Sequence, residues 1–304
     1  MDRTTIGWIN GFIGMVIFSA SLPATRAAVA AFDPVFLTGA RAGIAGSLAV
    51  ALLAIFRQKR PDIGDLPALG LTAIGVVVGF PLLTALALQH MTAAQSMVFI
   101  GLLPLSTAIF GVLRGGERPG LLFWIFSGAG SALVAGYALA QGLLQGSAAG
   151  LAMSPIGGML MFGAIVICGL GYAEGARLSR RLGGWQVICW ALVVSLPVSL
   201  GLAAALHPVS VAAIPASAWI GLAYVSLFSM LIGFIFWYRG LALGGIAAVG
   251  QLQLVQPLFG LIIAATLLGE TVSWAMVAIT AAVLLCVAGA KQATRPAVLR
   301  AAAT

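Results

Sequence analysis

The sequence predicts an all-α membrane protein, with ten transmembrane helices arranged as two inverted five-helix repeats. Three observations lead there. Of the 304 residues 62% are hydrophobic and only 7% charged, with a mean hydropathy of +1.13. The apolar residues run along almost the whole chain rather than gathering in one anchor. The pattern of the first half also returns in the second at a fixed offset. A soluble domain keeps roughly 25% of its residues charged to hydrate its surface, so lipid is the solvent here. Lipid admits helices and closed barrels, and barrel strands are short and alternate apolar with polar residues. Runs such as 121–139 and 187–206 are apolar on every face, so the spans are helical.

Hydrophobic runs punctuated by Pro, Gly and charge place the ten spans near 6–24, 34–56, 65–88, 92–113, 119–141, 155–177, 185–206, 215–238, 246–268 and 272–290. The first has the charged start and small residues of a signal peptide, but its apolar run extends past Leu22 and further spans follow it. With the N-terminus in the cytoplasm, the cytoplasmic ends carry Arg3; Arg57, Lys59 and Arg60; Arg114 and Arg118; Arg177, Arg180 and Arg181; Arg239; and Lys291, Arg295 and Arg300. These are 13 of the 15 basic residues, and only Arg26 and Arg41 lie towards the other side. Such a bias is expected to put both termini in the cytoplasm. It also accounts for the net charge of +8 and the pI near 10.3. No basic stripe on a soluble module points to nucleic acid. Cys168, Cys189 and Cys286 all fall inside apolar runs, without ligand spacing, and read as packing residues.

The repeat is visible without gaps. Adding 153 to the positions of Pro104 and Glu117 reaches Pro257 and Glu270, and the same shift sets Ala93-Ala94 on Ile246-Ala247. The halves are then about 1–144 and 150–291, followed by a short cytoplasmic tail at 292–304. Five spans is an odd number, so the second copy enters the membrane from the opposite side. Glu117 is expected at the cytoplasmic face and Glu270 at the outer face. Inverted repeats of this kind recur in secondary transporters, with the substrate site between the halves near the midplane.

Particular residues carry a resemblance. Trp237-Tyr238-Arg239-Gly240-Leu241-Ala242-Leu243, then Gln256-Pro257-Leu258, then Leu267-Leu268-Gly269-Glu270 resemble the EamA-type half of the drug/metabolite transporter superfamily. Ala87-Leu88, Leu103-Pro104-Leu105 and Gly116-Glu117 echo it in the first half. The resemblance implies a ten-helix secondary carrier in a bacterial-type inner membrane that exports small metabolites by alternating access, through a central cavity between the repeats. Within the superfamily the chain looks most like exporters of aromatic and other bulky apolar amino acids. It also implies that each Gly-Glu pair closes a helix at the membrane surface, as a structural cap or a gate; Glu117 has Arg114 and Arg118 beside it as candidate ion-pair partners.

Charges buried in a membrane are rare and usually functional. Among the acids only Glu174 lies within a span, three residues before Arg177 and so on the same helix face, as an internal ion pair or a gate. His90 and His207 fall in outer loops. With no carboxylate or imidazole at the midplane, transport is expected to be facilitated diffusion or only weakly proton-coupled. The substrate site then rests on neutral groups. Gln253 and Gln256 share a face of the ninth span, and their repeat partners Ile100 and Leu103 continue, with Ser96, along the fourth. Amides bind ammonium and carboxylate groups without the cost of a buried charge. Pro104 and Pro257 are expected to kink their helices and free carbonyls one turn earlier. Phe99, Tyr172 and Tyr224 are the aromatic candidates, while Trp237 and Tyr238 are expected in the interfacial belt. Gly7/Gly11, Gly39/Gly43, Gly75/Gly79 and Gly171/Gly175 have the spacing of close helix contacts.

The sequence contains no HExxH, no paired aspartates, no Ser/His/Asp set and no GxxxxGK[ST] loop. These absences weigh against an intramembrane enzyme and a nucleotide-driven pump. A channel, or a carrier for another metabolite or drug, stays open. The expected partners are a small-molecule substrate and the bilayer. No cofactor or metal is expected, and ten helices suffice for a monomeric carrier.

Overall fold

A computed structural model of the chain describes residues 2–90, 96, 99–149, 155–208, 213–256, 258–260, 262–263 and 274–293. Their helices fall in ten stretches: α1 (Arg3–Val29, interrupted at Ala20), α2 (Pro34–Ile55), α3 (Ile63–Ala87), α4 (Leu103–Gly115), α5 (Leu121–Ala149), α6 (Pro155–Leu182), α7 (Gly184–Ala205), α8 (Ala216–Gly244), α9 (Ile246–Gly250 and the tighter turn Gln251–Leu254) and α10 (Trp274–Ala293). Six of these, α1 to α3 and α6 to α8, are long and apolar enough to cross a bilayer. Helices α1, α6 and α8 run past the expected ends at 24, 177 and 238, reaching Val29, Leu182 and Gly244. The apolar run stops there, but the helical ladder continues into the polar layer.

The ends are capped locally. Asp2 accepts the Thr5 N–H at 2.6 Å, and that bond holds its carboxyl below the ordinary carboxylate range. Asp33 accepts from Val35 and Phe36 at 2.8 and 3.1 Å ahead of Pro34, whose missing N–H costs nothing in the first turn. Large apolar side chains point outward. Leu121, Met159 and Leu285 are 77%, 76% and 73% exposed, a surface that only lipid would cover.

The two halves meet through antiparallel helices. Along α2 and α7, Gly39 lies against Ser199 and Ala203, and Gly46 against Leu192 and Leu196, so one helix number rises as the other falls. These are the second helices of their respective halves. Their opposite directions are what an in-plane two-fold axis produces. Other contacts obey the same symmetry: α1 packs on α8 and α3 on α6, a pair of contacts that exchanging the halves interconverts, while α5 packs on its own equivalent α10. Both α3 and α8 contain a π-helical stretch, Ala73–Gly79 and Val225–Ile232. Adding 153 to 73–79 gives 226–232, so the two stretches occupy repeat-equivalent positions.

Glycines bring the backbones together. A methyl on Gly240 would stand 2.6 Å from the Gly11 nitrogen and 2.7 Å from its Cα, and one on Gly75 would stand 2.6 Å from the Gly171 Cα. Neither neighbour is a side chain that could swing away. Gly128 in α5, by contrast, has open space around it. Gly240→Ala is therefore expected to destabilise the detergent-solubilised protein by about 1–3 kcal/mol through overpacking, whereas Gly128→Ala is neutral or stabilising by up to about 1 kcal/mol through helix propensity. Thermal unfolding of the two variants side by side checks this, and equal midpoints would remove the backbone contact as an explanation.

Candidate functional site

A cavity opens between the halves, with an empty volume of about 590 Å³, part of it continuous with solvent. Phe18, Ser21, Leu22 and Thr25 reach it from around the break in α1, and Arg41 from α2. Val76, Phe80, Pro81 and Thr84 enter from α3, Ser229 and Phe234 from α8. Both π-helical stretches contribute, through the repeat partners Val76 and Ser229. A π turn lets a helix change which face it presents and is frequent at functional sites.

Of the residues expected from sequence, Ile100, Leu103, Tyr172 and Gln256 line this cavity. Gln253 stands one layer behind, fully buried, with Thr107 Oγ1 donating to its Oε1 at 3.4 Å and the Tyr172 hydroxyl beside it. Ser96 is buried and Phe99 half-buried at the edge of the core, and neither lines the cavity. Pro104 occupies the first turn of α4, after a break at Gly101–Leu102. Pro257 and Glu270 lie outside the described residues.

Three expectations are corrected. Tyr224 does not face the cavity. Its hydroxyl donates to the Ile17 carbonyl at 2.8 Å and its ring stacks on Phe228, because the interruption of α1 at Ala20 leaves carbonyls there that accept side-chain bonds. The Phe18 carbonyl likewise accepts Gln256 Nε2 at 3.5 Å. Trp237 and Tyr238 are not belt residues. Both are fully buried, since the face of α8 that carries them is covered by α1 and α6. The Tyr238 hydroxyl donates to the Gly171 carbonyl at 3.2 Å, and Trp237 packs on Phe18 and Tyr172 at centroid distances of 6.0 and 5.4 Å. Trp237 and Tyr238 back Tyr172 and Phe234, which line the cavity. Glu117, finally, pairs with neither Arg114 nor Arg118. Gly116, at φ +67°, turns the chain so that the carboxylate accepts the N–H groups of Ile246 and Ala247 at 2.6 and 2.7 Å. These are first-turn donors of α9 with no acceptor of their own, at the positive end of its dipole.

Beyond the aromatic rings the structure ends in ion pairs. Glu174, fully buried, accepts from Arg177 at 2.8 Å, the pair its spacing predicted, and also from Arg114 of α4. Arg181 pairs with buried Asp65, and Arg180 reaches Glu117 at 3.4 Å. Each acid thus ties a different helix to its neighbours at this one charged end.

Eleven of the fifteen lining residues were not expected from sequence, and Arg41 bears most on the chemistry. Arg41, expected towards the outer end, projects into the cavity with 7% of its surface exposed. Its Nη2 stands 3.4 Å from Ser229 Oγ, its Nε has no partner, and no carboxylate pairs with it among the described residues. An arginine in the middle of a span costs about 3 kcal/mol on an insertion scale. Its signal in the sequence is an arginine two turns inside the second apolar run. Among the described residues no group of three His, Cys, Asp or Glu side chains could hold a metal ion.

The sequence profile of the EamA-like transporter family matches residues 5–138 and again 155–290. The transporter YdeK of Bacillus subtilis (strain 168) is 65% identical over 292 residues, covering 96% of this chain and 99% of that one. A probable terminal-alkyne amino-acid exporter of Streptantibioticus cattleyicolor is 26% identical over 262 residues, covering 84% and 83%. A solved crystal structure superposes with a TM-score of 0.74 at 20% identity, over 96% of this chain and 99% of that one, which speaks for the fold alone. Two matched copies in one chain, on a helical membrane fold with a cavity between them, lead to one conclusion: the protein belongs to the EamA-like transporter family.

Proposed function

We propose that the chain is a secondary carrier that exports bulky apolar amino acids by alternating access through the cavity between its halves. The observation that carries this reading is the cavity's division into two kinds of wall. Phe18, Phe80, Tyr172 and Phe234 form an aromatic side, while Arg41, Ser21, Thr25, Ser229 and Gln256 supply polar groups. Mostly apolar walls with a few placed polar groups are the usual form of small-molecule sites, and a solute with an apolar side chain and a charged head matches both walls. The name of the 26% identical relative points the same way. The charged end, rich in arginine, is the cytoplasmic face by the positive-inside bias. The described conformation is then closed to the cytoplasm and open towards the outside, a state a carrier visits after releasing an exported solute.

Closure at the cytoplasmic end rests on few contacts, so it is reversible. Opening has to separate Glu117 from the start of α9 and Arg114 from Glu174, both of which join helices of different halves. The cavity offers no carboxylate among the described lining residues, which supports a carrier not driven by protons.

In proteoliposomes preloaded with unlabelled phenylalanine or methionine, labelled phenylalanine is expected to enter by saturable counterflow at a rate unchanged by a pH gradient. No counterflow with any amino acid would end the substrate assignment, and uptake that requires the gradient and is lost in Glu174→Gln would end the uncoupled reading. Glu117→Gln keeps the shape of the cap but loses its charge. It is expected to weaken the closed state by about 1–2 kcal/mol, roughly a five- to thirtyfold shift in population. Spin labels at Leu113 and Arg239, in a background lacking the three cysteines, would report this as a larger fraction at the longer distance. An unchanged distribution would make the cap structural only.

A further inference from the structure

Arg41 is a cation that lines the cavity with 7% of its surface exposed, and no acid among the described residues neutralises it. Six of the chain's seven acids are described, and the partners seen for Asp2, Asp33, Asp65, Glu117 and Glu174 all lie at helix ends or the charged end. None pairs with Arg41. The groups around it are hydroxyls. Ser229 Oγ, already accepting from Ser21 Oγ at 2.8 Å, stands beside its Nη2 at 3.4 Å. The Arg41 Nε and the Thr84 hydroxyl, which lines the same cavity, are buried without a partner. An unpaired guanidinium offers a planar fork of donors matched to the two oxygens of a carboxylate. An ionisable side chain inside a span marks a functional site by default.

We infer that Arg41 binds the carboxylate of the transported solute, and that this carboxylate, rather than an ammonium group, is what the cavity recognises. The inference rests on the amino-acid reading above and sharpens it. A site that recognised an ammonium through charge would need an acid facing it. The polar acceptor that faces the cavity instead is Gln256, whose Oε1 has no partner. An amide can accept an N–H of the amino group, but it adds far less discrimination than a desolvated charge pair. The aromatic side of Phe234 and Tyr172 takes the apolar end, with the carboxylate directed at α2. Carboxylates lacking the amino group are therefore ligands, and amines lacking the carboxylate are not.

The test uses three probes that share one side chain: phenylalanine, 3-phenylpropionate, which lacks the ammonium, and phenethylamine, which lacks the carboxylate. Purified full-length protein in detergent is expected to gain thermal stability with the first two and none with phenethylamine. In counterflow, 3-phenylpropionate is expected to inhibit within about tenfold of phenylalanine, with phenethylamine at least a hundredfold weaker. Arg41→Gln is expected to abolish stabilisation by 3-phenylpropionate, and Arg41→Lys, which keeps the charge but loses the fork, to retain part of it. Phenethylamine acting as well as phenylalanine would overturn the inference while leaving the amino-acid reading intact. Stabilisation by 3-phenylpropionate that persists in Arg41→Gln would do the same. Stabilisation of the unaltered protein by 3-phenylpropionate without any amino-acid counterflow would sink the amino-acid reading and keep Arg41 as a carboxylate site. Because the ligand comparison is made on the unaltered protein, it decides the matter even if Arg41→Gln fails to fold.

Discussion

The rest of the structure depends on backbone-to-backbone contact between the two halves. In lipid, apolar side chains gain nothing by leaving their solvent, so helices associate through close van der Waals fit and a few polar contacts. Gly7 and Gly11 of α1 lie against Gly244 and Gly240 of α8, and Gly75 of α3 lies against Gly171 of α6. The in-plane two-fold axis turns one of these crossings into the other. Because both are smooth, the halves have surfaces on which to move against one another, and the space they leave between them becomes the cavity. Moving parts and binding site come from one packing solution.

Symmetry of backbone is not symmetry of chemistry. At repeat-equivalent positions facing or backing the cavity, Val76 stands opposite Ser229, Leu103 opposite Gln256, and Ile100 opposite Gln253. In each pair the first half gives the apolar residue and the second the polar one. Arg41 reverses the rule, its equivalent in α7 being Val194, which is 40% exposed on the outer surface. A duplicated scaffold has in this way acquired an amphipathic interior, suited to solutes with two unlike ends. The acids show the same division of labour. Glu117, Glu174 and Asp65 are all spent on holding one end closed, and no acid among the described residues pairs with the cation of the cavity.

Contacts within one turn of helix were legible and distant ones were not. The Glu174–Arg177 pair follows from a spacing of three, and the capping of α2 by Asp33 ahead of Pro34 is equally local. The acceptor role of Glu117 was foreseen as a cap, but its donors at Ile246 and Ala247 lie in the other half of the chain. Tyr224 was one of the aromatic candidates for the site, and a carbonyl at the break in α1 claims it instead. Arg41 shows the opposite failure, since its depth was written in the run around it. What it faces depended on the turn of α2 towards Ser229.

By itself the sequence determined the solvent, the helical class and the duplication, because each follows from composition or from a regular period that needs no partner. Which face of each helix turns inward was decided only by tertiary structure. A helix that is apolar all round carries no stripe to mark its buried side, so Trp237 and Tyr238 look alike as belt or core until α1 and α6 are seen to cover them. The site is a property of that choice. Arg41, Tyr172, Ser229 and Gln256 come from four separate helical segments, and only the crossing of the halves brings them around one cavity.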